Sequence, residues 1–111
     1  MLARPNRLTR GADYKAVVRR GVKCAGSRTV MYVAVSDEDR APRFGFIVSK
    51  QVGSAVTRNT VRRRLKAVCA GSLAGVRPGA DVVIRALPAA ADADFHQLAA
   101  EVERCLERRV A

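Results

Sequence analysis

From Arg40 to Ala80 the chain carries nine lysines and arginines and not one Asp or Glu. Within that span, Thr57–Ala70 has the strongest helical spacing in the chain, and Gly71 stands where such a helix would stop. At about 100° per residue, Arg58, Arg62 and Lys66 fall within an arc of about 80°, with Asn59 and Arg63 reaching to about 140°. Val61, Leu65 and Val68 gather on the far side, between about 280° and 340°. No acid stands three or four residues away to neutralise the row. A helix so divided must lie on a core by its aliphatic edge and turn its guanidinium groups outward. Mixed signs are normal on a merely solvated face, so this one calls for an anionic partner.

The whole chain tells the same story. Its 111 residues suit one domain with one core, residues 1–111, and its formal charge is +11. Such an excess repels itself, and a polyanion relieves it; binding nucleic-acid phosphates also releases condensed counterions. No apolar run approaches the length of a membrane span, and the opening residues lack the apolar core of a signal peptide, so a cytoplasmic protein without a membrane is expected. Cys24, Cys69 and Cys105 are odd in number, far apart and without a CxxC pair, which predicts free thiols and no metal site. His96 is the only histidine and has no partner for nucleophilic chemistry. No catalytic residue is therefore expected in this chain.

Other elements follow from spacing. Residues 1–8 read as a flexible basic lead-in with nothing to pack them. Thr9 is placed to cap a helix over Arg10–Arg20 that Gly21 ends. Arg28–Ser36, Arg43–Lys50 and Asp81–Leu87 read as three strands, the second apolar enough to lie centrally. Gln51–Val56 is a loop in which Gly53 permits a positive φ or a close backbone approach, Ala89–Ala93 leads into a helix, and Asp92–Arg109 closes the chain as an amphipathic helix. The order helix, strands, helix, strand, helix predicts an α+β single-domain α-β sandwich around a mainly antiparallel sheet. Arginine suits phosphate through its planar two-bond fork, and Asn59 offers both a donor and an acceptor.

The segment Ser49–Lys66, SKQVGSAVTRNTVRRRLK, closely resembles the signature of the bacterial ribonuclease P protein family. Ser49, Lys50, Gly53, Ala55, Val56, Arg58, Asn59, Arg62, Arg63 and Lys66 fill the family's places at the family's spacing. Asn6-Arg7-Leu8, Asp13-Tyr14, Val17 and Gly21 resemble its first helix, and Tyr32, Gly45 and Asp81–Ile84 its strands, so the likeness runs from about Arg4 to Arg109. It implies a left-handed βαβ crossover around the basic helix, a hand that runs against the general rule.

The resemblance also implies an endonuclease that removes the 5′ leader of precursor tRNA, a hydrolase whose chemistry resides in an RNA subunit with Mg²⁺. Its partners would be that RNA and precursor tRNA, with no obligate protein partner. Lys50, Arg58, Asn59, Arg62, Arg63 and Lys66 would bind the RNA subunit, and a cleft with Tyr14, Val18 and Tyr32 would hold the leader. Stacking on a ring holds a single strand whatever its sequence. Three positions depart from the family: Val18 stands where a second aromatic is common, Gln51 follows Lys50 in place of a base, and Thr60 ends the Arg-Asn motif. The rival classes are a ribosomal or assembly protein that binds RNA without cleavage, a protein-only nuclease and a DNA architectural protein. The acid-free stretch speaks against the nuclease.

Overall fold

The computed structural model describes residues 2–110; Met1 and Ala111, the ends of the expected domain, lie outside them. Helix α1 (Gly11–Arg20) precedes strands β1 (Val22–Ala25), β2 (Thr29–Val35) and β3 (Arg43–Ile47). Helix α2 (Ala55–Ser72), strand β4 (Ala80–Ala86) and helix α3 (Phe95–Val110) follow. The sheet order is β1-β2-β4-β3, with β1–β2 and β2–β4 antiparallel and β3–β4 parallel. The expected α+β sandwich and mainly antiparallel sheet are present, and α2 is the crossover between the parallel strands.

Each face of the sheet has its own helices. On one, Met31, Val33, Phe44, Val82 and Ile84 meet Val61, Leu65 and Val68 of α2 and Leu98, Val102 and Leu106 of α3. Leu65 and Leu98 are fully buried, each worth about 1.5–3 kcal/mol of hydrophobic stabilisation. On the other, Val17 of α1 packs with Leu8, Tyr32 and Val83, flanked by Tyr14, Val18 and Ile47.

Several expectations need correction. The lead-in is docked: Leu2, Asn6 and Leu8 are buried, and residues 4–6 form a 3-10 turn. Leu8 N–H donates to the Phe44 carbonyl at 2.8 Å, and Asn6 Nδ2 to the Pro42 carbonyl at 2.9 Å. Strand β3 is therefore an edge strand, not a central one. Its apolar character comes from cover on both faces, and the Arg7–Phe44 bridge shields its border. Because Leu8 is fixed there, α1 begins at Gly11 with Arg10 at the cap position and no side-chain cap, so Thr9 does not serve as one.

Helix α2 starts two residues before the expected Thr57, since Ser54 Oγ accepts the Thr57 N–H at 3.3 Å. It passes through Gly71, whose surroundings are open, and tightens into a 3-10 turn at Leu73–Gly75. Gly53 does adopt φ 151°, a backbone open essentially to glycine. Strand β1 is an addition: only Cys24 of its four residues is buried, so it shows no alternation to read.

The cysteines are not all free. Cys24 of β1 and Cys105 of α3 form a disulfide across 81 residues of sequence, with Cα atoms 5.9 Å apart. Their separation along the chain hides a contact that only the packing of α3 on β1 creates. Cys69 remains a buried thiol, and burial pushes its pKa far up. No helix among the described residues is long and apolar enough to cross a membrane.

Candidate RNA interface

Helix α2 presents its cations as the angles require, but not all alike. Arg63 and Asn59 are exposed, while Arg58, Arg62 and Lys66 are half-buried. Among the described residues, no carboxylate lies within ion-pair distance of any of these cations; the ion pairs present involve Arg28, Arg40 and Arg43. Arg62 Nη1 donates to Asn59 Oδ1 at 3.0 Å, which holds the guanidinium in place and leaves the amide N–H groups of exposed Asn59 without a protein acceptor among the described residues. Asn59, Arg62, Arg63, Lys66 and Ala67 line one shallow depression. Arg58 Nε is enclosed without a hydrogen-bond partner among the described residues, although the residue as a whole is half-buried like Arg62 and Lys66. Lys50 is exposed in the 3-10 turn Lys50–Val52 that precedes the helix. Arg64, on another side of α2, donates to the Ala93 carbonyl at 2.7 Å and fastens the helix to the segment before α3.

Two basic residues of the acid-free stretch are neutralised within the chain. Arg40 and Arg43 each place two donors on the Asp81 carboxylate, at 2.9–3.1 Å. Burial pushes the Asp81 carboxyl up, yet the hydrogen bonds from Arg43 and Arg40 outweigh it and hold the group below its usual value. This cluster ties the β2–β3 loop to the start of β4 and leaves α2 untouched.

The opposite face of the sheet carries a second depression, lined by Tyr14, Lys15, Val18, Arg19, Ile47 and Arg85. Tyr14 is half-buried; its hydroxyl donates to the Leu8 carbonyl at 3.3 Å and accepts the Phe46 N–H at 3.2 Å. Tyr14 also borders a third hollow with Arg7, Phe44, Arg62 and Lys66, so the two cationic surfaces meet at this ring. Tyr32 lies on the same face but is only 7% exposed. Lys23 Nζ stands 5.9 Å and Arg85 Cζ 5.8 Å from its centroid. Of the three residues expected in the cleft, Tyr14 and Val18 line it, and Tyr32 lies covered.

Lys15, Arg19, Lys23 and Arg85 lie outside the motifs of the sequence, and Arg7 falls in one, Asn6-Arg7-Leu8, that assigns it no site role. Arg85 had a signal of its own, the single cation inside the apolar run Asp81–Leu87. Lys15 and Arg19 are spaced i, i+4 on a helix beside Val18.

The sequence matches the family described as Ribonuclease P over residues 2–110. The chain belongs to the ribonuclease P family. Among its relatives, the ribonuclease P protein component of Clavibacter michiganensis is 49% identical over 110 residues, which span 99% of this chain and 97% of the relative. The component from Acidothermus cellulolyticus is 50% identical over 109 residues, 97% of this chain and 91% of that one. A solved structure of Staphylococcus aureus RNase P protein superposes with a TM-score of 0.84 at 25% identity, covering 93% of this chain and 94% of its own. RNase P protein from Thermotoga maritima shares the fold, with a TM-score of 0.83 at 19% identity over 95% of this chain and 98% of that one.

Proposed function

We propose that this chain binds the RNA subunit of ribonuclease P through α2 and the precursor tRNA leader through the groove beside α1, while the RNA carries the chemistry. Membership in the ribonuclease P family makes the chain part of an endoribonuclease that processes tRNA. The observation that carries the division of labour is the un-neutralised row Arg58, Arg62, Arg63 and Lys66 on a helix anchored by Val61, Leu65 and Val68. Lys50 and Asn59 extend that row, the first as a cation before the helix, the second by orienting Arg62.

Mg²⁺ belongs with the RNA in this reading. The groove's lining is cationic, aromatic and aliphatic without a carboxylate, a donor set that does not fit a hard dication. The chain's own contribution is charge and position: it neutralises phosphates of both RNAs and holds them at the two sides of Tyr14. In this reading the chain acts in the cytoplasm, on tRNA precursors.

Reconstitution tests the reading. The protein added to the catalytic RNA at low Mg²⁺ is expected to restore 5′-leader removal. A correctly folded RNA left inactive would favour a ribosomal or assembly protein that binds RNA without aiding cleavage.

A further inference from the structure

Tyr32 is placed where a ring could stack on a base, yet neither of its faces is free. At 7% exposure it offers no surface of base size. Above it lie two exposed cations brought by the neighbouring strands. Lys23 is directly opposite Tyr32 in the β1–β2 register, and Arg85 is opposite Val30, the next residue of β2 on the same face. Both charged groups lie within about 6 Å of the ring centroid, the range in which a ring's quadrupole attracts a cation. Among the described residues neither is in an ion pair. Arg85 also lines the groove, beside Lys15 and Arg19. Meanwhile Val18 supplies no ring, and the Tyr14 hydroxyl is committed to Leu8 and Phe46. Aromatic surface is scarce here and positive charge is plentiful.

We propose that Lys23 and Arg85, held over the buried Tyr32 ring, grip the phosphates of the 5′ leader, and that Tyr32 is a positioning platform for them and not a stacking surface. This rests on the leader-groove reading above. Phosphates repeat along every leader regardless of base, so the grip is indifferent to sequence but sensitive to salt.

The test uses the holoenzyme reconstituted with its catalytic RNA, and compares precursor with mature tRNA across a salt series. The double variant Lys23→Ala/Arg85→Ala is expected to lose affinity for precursor but not for mature tRNA. Its log affinity against log salt should flatten by about 0.7 per lost contact, the single-strand value. Tyr32→Phe keeps the ring and should match the wild type; Tyr32→Leu stays apolar but removes the ring, and should lose affinity and slope as the double variant does. Thermal melting of each variant identifies any that is unfolded. Leader preference and slope unchanged in a folded Lys23→Ala/Arg85→Ala protein would overturn this inference alone. A wild-type holoenzyme with no leader preference would overturn the parent reading with it.

Discussion

Gly45 lies directly beneath the Tyr14 ring, so close that a Cβ there would stand 2.5 Å from Tyr14 Cζ. The missing side chain lets the ring reach β3, and the hydroxyl then satisfies the Phe46 N–H of that edge strand. Gly45→Ala should expel the ring and destabilise the protein by about 1–3 kcal/mol. Tyr14→Phe, which removes only the hydroxyl, should cost about 1 kcal/mol. Denaturant unfolding separates the two, and Gly45→Ala should also weaken precursor binding.

Arg62 and Arg64 sit two residues apart on α2 and have different duties. Arg62→Ala should weaken binding to the RNA subunit and flatten its salt dependence by about 0.7–0.9 per lost phosphate. Arg64→Ala removes the bond to the Ala93 carbonyl and should lower stability by about 1 kcal/mol, leaving the salt slope intact. Equal losses of RNA affinity in both variants would contradict the assignment.

Asp81 gives the fold an acid sensitivity of known sign. Its carboxyl is held below the usual value in the folded state, so its stabilising share is complete above the unfolded pKa of about 3.9 and is lost as pH falls through the folded value. Asp81→Asn should therefore cost about 2 kcal/mol at neutral pH, the scale of charge-assisted hydrogen bonds. The gap between variant and wild type should close in strong acid, as read from melting temperatures over a pH series.

The Cys24–Cys105 bond encloses an 81-residue separation. Oxidised protein, once denatured, should titrate with one thiol, and reduced protein with three. Reduction should lower stability by up to about 4 kcal/mol in the loop-entropy picture. Melting with and without reductant checks this, and Cys24→Ser/Cys105→Ser should make melting indifferent to reductant.

The elements with strong internal periodicity are legible in the sequence. Helix α2 announced itself through Val61, Leu65 and Val68 opposite Arg58 and Arg62, and β2, β3, β4 and α3 through their apolar spacing. The family signature in Ser49–Lys66 carried the functional class. What stayed hidden depends on partners distant in the chain. Strand β1 has one buried residue and borrows its order from β2. The edge position of β3, the docking of Leu8 on Phe44 and the Cys24–Cys105 pair are all contacts that local pattern does not encode. Tyr32 shows the limit best: its position was anticipated, but whether its ring was free depended on Lys23 and Arg85 arriving from other strands.

The Leu8–Phe44 hydrogen bond also sets an order of assembly. Phe44 belongs to a strand whose only ladder partner among the described strands is Ala80–Ala86, so during synthesis Leu8 has no completed ladder to dock on until Ala86 has been made. Residues 2–8, synthesised well before β4, settle only after it, and completion of the fold waits on pairings between distant parts of the chain.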